Sequence, residues 1–296
     1  MSKVSVAIIG LNGFVGKPIL EAIESGKYDD KLKFPIKAVT RKETPSTNKI
    51  QYVVGSLEDD RVEELSEKLA GTDVIIELIT PDPNLFAVIE KIVLNVKPKL
   101  FLPSQFGSDI DQVQEYAPGF LAVKKDHSER LRAKGIKVVD FVTGLFAVPG
   151  TWLYEWVGAA GADVESKTVV FRGDPQTKIS ITKLFDIGNS VVSLITLDPS
   201  TIPDTVRIES DEVTFQDIID RYEQTHNVKF DVVKHISKED ALVEFRESVS
   251  KGFDRNQIFY YLNAIASQGL DKGLNYSENH NELVNPRESL WKWGKF

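Results

Sequence analysis

The sequence predicts a doubly wound α/β fold, a parallel sheet with helices on both faces, carrying a smaller carboxyl-terminal lobe. Three observations carry the prediction. Short β-branched runs alternate with helix-length amphipathic stretches through the first half of the chain. The first run, in "VAIIGLNGFVGKPIL" (4–18), stops at three glycines spaced by three and resumes as a helix. After Phe146 the alternation is lost.

Each element follows from its own residues. Val4–Ile9 is apolar nearly throughout, as a parallel strand covered on both faces must be. Phe14–Ser25 carries Val15, Ile19, Leu20 and Ile23 at helical spacing, and Gly26 is a plausible stop. Further strands are expected at Ile36–Thr40, Ile50–Val54, Val74–Leu78, Lys99–Leu102 and Lys137–Val142. Helical patterns lie between them at Leu57–Leu69, Asn84–Val96 and Phe120–Ala133, the last two closed by Pro98 and Gly135. Six strands alternating with helices make one parallel sheet with right-handed crossovers.

Beyond Phe146 come "VPGTWLYEW", a Gly/Ala stretch and "TVVFRGDP", and then a helical "LFDIGNSVVSLI" at 184–195. Short strands at Val206–Glu209 and Lys229–Val233 mix with amphipathic helices at Thr214–Gln224 and Ser237–Val249. The expected division is 1–149 for the sheet domain, with 179–198 returning to it. Residues 150–178 and 199–296 form a lobe over the carboxyl edge of the sheet. The terminal "LWKWGKF" reads as a tail docked onto that lobe.

Composition narrows the function. The 296 residues are 42% hydrophobic and 27% charged, with mean hydropathy −0.18, enough for a core of ordinary size. Cysteine is absent, which rules out disulfides, thiolate nucleophiles and zinc–thiolate sites and suits a reducing compartment. The net charge of −8 opposes broad contact with a phosphate backbone, so no nucleic-acid partner is expected. The opening Met-Ser-Lys-Val shows no leader pattern and no apolar stretch reaches membrane length, so the expected location is cytoplasmic, with no membrane contact. His127, His226, His235 and His280 lack ligand spacing, so no metal is expected, and no Gly-x-Ser-x-Gly elbow occurs.

The glycine triplet reads either as a tight turn without ligand or as a seat for a dinucleotide pyrophosphate. Its place between a buried strand and a helix favours the seat, and with it a Rossmann domain. Gly10 lets the chain leave the strand sharply, Gly13 lets backbone amides approach the phosphates, and Gly16 lets the helix pack close. The helix start aims free N–H groups at the same place. The second strand ends in "AVTRKE" rather than in the acid that would accept from unphosphorylated ribose hydroxyls. Arg41 and Lys42 there suit a 2′-phosphate, Arg41 through a forked contact, so NADP(H) is favoured over NAD(H).

Four stretches carry a family resemblance. "GLNGFVG" resembles the Gly-x-x-Gly-x-x-Gly turn of extended and atypical short-chain dehydrogenases. "FLPSQFGSD" (101–109) resembles the Pro-Ser-Glu-Phe-Gly segment of isoflavone reductase-like proteins. "VKKDHSERLRAKGIKVVDF" (123–141) is similar to that family's lysine-bearing helix, and "FRGDPQTKISITKLFDIG" (171–188) to its returning segment. The chain thus resembles isoflavone reductase-like proteins of the wider NmrA-like group. The resemblance implies NADPH and the reduction of small aromatic or enone-type substrates. It puts Gly10, Asn12, Gly13, Phe14, Val15 and Gly16 on the pyrophosphate turn and Arg41 on the 2′-phosphate. It makes Lys124 the catalytic lysine beside the cofactor and puts Phe146 near the nicotinamide. Gln105 stands where the family usually has Glu, and Ser56 where an Asp is common.

The usual Tyr-x-x-x-Lys pair is missing: Tyr116 is followed at +4 by Phe120 and Tyr222 by His226. Another proton donor is needed. Lys124 is the candidate, since an amine that is partly desolvated near a cationic ring has a lowered pKa; by its residues alone it also reads as a solvated helix lysine beside Lys125. His127 shares its face and reads as surface or packing. "TWLYEW" and "FYYLN" offer rings for a flat substrate but read first as core. The expected function is an NADPH-dependent reductase of a small planar carbonyl or conjugated enone, with a small-molecule substrate; the sequence does not fix the oligomeric state, and a homodimer is one option. The alternative is a non-catalytic NADP(H)-sensing regulator acting through a protein partner.

Overall fold

Val6 to Ile9 are all buried, which only a central strand covered on both faces allows. In the computed structural model, which describes residues 3–296, that strand is the middle of the first sheet. Met1 and Ser2, from the start of the stretch read for a leader, lie outside the described residues. The chain runs β1 (Val4–Ile9), α1 (Gly16–Glu24), β2 (Leu32–Thr40), β3 (Ile50–Val54), α2 (Val62–Leu69), β4 (Val74–Glu77), α3 (Pro83–Val96) and β5 (Leu100–Leu102). These five strands are parallel, in the order β3-β2-β1-β4-β5. Order reverses at β1, so the crevice of this doubly wound sheet opens at the carboxyl ends of β1 and β4.

Several elements differ from their sequence reading, and for two of them the reason is identifiable. β2 begins at Leu32, earlier than expected, because Leu32 pairs with Val4; the register shifts between Ser5 and Ala7, opposite Pro35, which has no N–H for the ladder. The sixth expected strand is divided. Phe101 bridges Val138, its N–H donating to Lys137 O at 2.9 Å.

The chain continues through α4 (Ile110–Tyr116), α5 (Ala122–Arg132), β6 (Asp140–Val142), β7 (Leu145–Ala147), β8 (Ala162–Asp163), β9 (Thr168–Arg172), β10 (Lys178–Lys183), α6 (Leu184–Leu194), β11 (Thr205–Arg207) and β12 (Asp211–Thr214). It ends with α7 (Phe215–His226), β13 (Asp231–Ile236), α8 (Lys238–Ser250), α9 (Ile258–Ala266) and α10 (Asn281–Val284). β6 pairs in parallel with β11, β10 lies between β12 and β7, and β9 between β13 and β8.

Three cores result. Ile8, Ile19, Ile76, Phe141 and Val191 fill one face of the first sheet, under α1 and α6. Ala7, Ile75, Ile89, Phe101 and Leu131 fill the other, under α2, α3 and α5. Phe120, Phe171, Phe215, Phe245 and Tyr261 centre the lobe. Each fully buried side chain of this size contributes roughly 1.5–3 kcal/mol. Ile202, Val206, Ile208, Val284 and Trp291 lie beyond residue 199 yet pack into the first core, because β11 extends from β6. The terminal aromatics are shared out likewise: Trp291 and Trp293 join the sheet core, while Phe296 lies 5.1 Å from the Tyr154 ring in the lobe. The tail is therefore held across the seam rather than on the lobe alone. Among the described residues, no helix is long and apolar enough to cross a membrane.

Candidate active site

The turn after β1 is shaped by exclusion. Gly10 adopts φ +92°, and a Cβ there would stand 2.5 Å from Leu78 O at the end of β4. A Cβ on Gly16 would fall 1.9 Å from Leu11 O, so only glycine lets α1 start so close to the turn. Val15, the residue before α1, supplies no side-chain cap; Lys17 N–H donates to Gly13 O at 3.2 Å and Pro18 has no N–H, so the Gly16 amide at the head of the helix is the one left for another acceptor. These are the features an anionic pyrophosphate requires, and the turn fits one.

The turn opens into a crevice of about 850 Å³. Gly13–Val15 of the turn, Leu78–Pro81, Ser104, Lys124, Phe146 and Trp152 line it. Tertiary structure thus brings together Gly13, Phe14, Val15, Lys124 and Phe146, five of the residues singled out in the sequence. Gly10, Asn12 and Gly16 belong to the same turn. Arg41 and Lys42 lie outside the crevice lining. They are exposed just past β2, where pairing of Ile9 with Val39 sets Thr40 beside Gly10. The Phe14 and Phe146 rings meet at 5.6 Å, and Phe146 stands edge-on to Trp152 at 6.4 Å.

Lys124 sits in the first turn of α5 and is only 7% exposed. Burial lowers its pKa to about 8, against the opposing pull of Glu77 and Asp140; the positive helix end acts in the same direction as burial. Gln105 positions the backbone here. Its amide donates to Lys124 O at 2.8 Å and to Ser128 Oγ at 3.0 Å, and Ser128 donates to Asp140 at 2.7 Å. A carboxylate could not donate to that carbonyl, which gives Gln in place of Glu a physical reason. Lys125 turns away, paired with Asp111 at 3.0 Å and Glu129 at 3.6 Å.

His127 is not a surface residue. It is buried between Glu77 (2.9 Å) and Glu90 (2.7 Å) and stacked on Phe86 at 4.3 Å. Burial pulls its pKa down, but the two carboxylates outweigh this and the net shift is upward. Trp152 belongs to the crevice although its stretch reads first as core, as do Phe253, Arg255 and Ile258, which no sequence signal marks. Tyr154 and Tyr261, from the same aromatic stretches, are buried in the lobe. Among the described residues, no group of three or more His, Cys, Asp or Glu could hold a metal ion.

No family model matches the sequence. A phenylcoumaran benzylic ether reductase of Ginkgo biloba is 28% identical over 247 residues, covering 76% of each chain. An isoflavone reductase homologue of Solanum tuberosum is 27% identical over 240 residues, covering 75% of this chain and 74% of that one. The chain is thus similar in sequence, over about three quarters of its length, to isoflavone reductase-like proteins. Among solved structures, one from a study of pinoresinol-lariciresinol and phenylcoumaran benzylic ether reductases superposes with TM-score 0.71 at 22% identity, covering 96% of this chain and 95% of that one. A leucoanthocyanidin reductase of Vitis vinifera, in binary complex with NADPH, gives 0.65 at 17% identity, with 90% and 87% covered. Both share the doubly wound fold of this chain.

Proposed function

We propose that the protein is an NADPH-dependent reductase of a small, planar aromatic carbonyl or conjugated enone. The observation that carries this is Lys124, a buried amine with a lowered pKa, in the same crevice as the glycine turn. The reductase names of the sequence relatives and the NADPH complex of the grape enzyme support the same reading. When bound, NADPH supplies the hydride. The turn after β1 holds the pyrophosphate with backbone amides, and Arg41 with Lys42 holds the 2′-phosphate. Phe146 and Trp152 offer an apolar surface to a flat ring, and Leu78, Ile79 and Pro81 add apolar lining to the same crevice. Lys124 gives its ammonium proton to the substrate atom that gains electron density, and Gln105 fixes the backbone from which it acts.

The test is NADPH oxidation against a panel of aromatic aldehydes, quinones and enones. At least one should turn over, and Lys124→Ala should slow it by about 10²-fold. No turnover with any of them, together with NADPH-dependent association with a protein partner, would establish a regulator instead.

A further inference from the structure

The charge lining the crevice is opposite to that of the chain. The protein carries 44 acidic residues against 36 basic ones, yet Lys124 and Arg255 are the only charged residues among the described ones lining the crevice. Both are cations. Lys124 has a role in the chemistry; Arg255 has none assigned.

Arg255 also occupies a built position. Phe253, two residues before it, stacks on Tyr261 at 5.4 Å and meets Phe120 edge-on at 5.9 Å. The Asp254 N–H donates to Tyr261 Oη at 3.2 Å. The Asp254 carboxylate, the nearest acid in sequence, accepts from Asn256 N at 2.9 Å and caps the short turn that Arg255 begins. Among the described residues Arg255 enters no ion pair. The lobe thus holds the backbone around an exposed arginine that lines a crevice whose other lining residues, Lys124 apart, are uncharged. The guanidinium fork suits a planar oxyanion.

We propose that the substrate is an aromatic carboxylate: its ring lies against the edge-on pair Phe146 and Trp152, its reducible group faces Lys124, and its carboxylate is held by Arg255. This rests on the reductase reading for the orientation of the substrate, but not for the recognition of its charge. The probes are 4-formylbenzoate and methyl 4-formylbenzoate, identical except for the anion. Binding to the NADP⁺-loaded protein is measured by calorimetry, and NADPH oxidation separately. The acid should bind about tenfold tighter or more, the scale of one charge-assisted contact. Arg255→Gln should bring it down to the affinity of the ester. Equal binding of acid and ester to the unaltered protein overturns the proposal. So does an Arg255→Gln variant that keeps the acid's advantage, or one whose main loss is affinity for NADP⁺, which would place Arg255 on the cofactor. If the acid is preferred through Arg255 but neither probe nor the wider panel is reduced, the carboxylate site stands and the reductase reading falls.

Discussion

At the scale of single residues, the proposed chemistry depends on one proton. Burial brings the Lys124 pKa to about 8, so the ammonium form prevails at neutral pH and can donate. The turnover rate should be flat at lower pH and fall as pH rises through about 8, because the acid form is the one that is lost. Lys124→Arg keeps the charge but holds its proton too tightly to donate, and should be as slow as Lys124→Ala. Lys125→Ala, which loses only exposed pairs with Asp111 and Glu129, should keep the wild-type rate and profile. An unshifted profile in Lys124→Arg would remove the lysine from the mechanism. For cofactor choice the proposed residue is Arg41. Arg41→Ala should weaken NADPH about tenfold and leave NADH nearly unchanged; equal affinity of the unaltered protein for both would contradict its role.

At the scale of elements, α5 is tied to the sheet by an ionic cluster that the hydrophobic pattern does not reveal. His127 joins Glu77 at the end of β4 to Glu90 of α3, and Arg130 pairs with Glu90 at 2.8 Å. Because the folded His127 pKa lies above its ordinary value, its charged form stabilises the fold. That contribution is complete below the unfolded pKa, near 6.5, and is lost as pH rises through the folded value. His127→Gln should therefore cost about 3 kcal/mol in acid solution and less in alkaline solution, as read from urea unfolding at pH 5.5 and 9. The same loss at both values would mean that packing on Phe86, and not charge, is what matters. Helix α5 carries both this cluster and Lys124, so a weakened cluster should also blur the position of the lysine.

At the scale of the whole molecule, the carboxyl terminus fastens the sheet to the lobe. Trp291 packs under α6 and α10, Gly294 N donates to Asp186 at 2.9 Å, and Phe296 reaches Tyr154 and Arg221. Trp291→Ala should cost about 3–5 kcal/mol and lower the melting temperature by on the order of 5–10 °C. Phe296→Ala touches only the lobe side and should cost less. If the two variants melt alike, the tail does not divide its contacts in this way.

The sequence by itself determined the parts whose causes are local. β1 and β3 have the predicted bounds, because continuous apolar runs between turn residues admit one reading. The glycine turn was legible because Gly10 and Gly16 meet atoms close in chain or in adjacent strands, where any side chain would clash. The motif around Lys124 pointed to its crevice, but its burial and lowered pKa arise from the packing of α5 against β4 and α3. Tertiary structure alone decided the rest. Arg255 is 131 positions from Lys124 in sequence, yet both line one cavity. His127 has no ligand-like neighbour in sequence, but β4 and α3 bring two carboxylates to it. Ile202 and Trp291 join the sheet core because β11 pairs with β6. Local patterns specify elements through short-range sterics and periodicity, whereas a site built from several elements depends on long-range packing that no single stretch encodes.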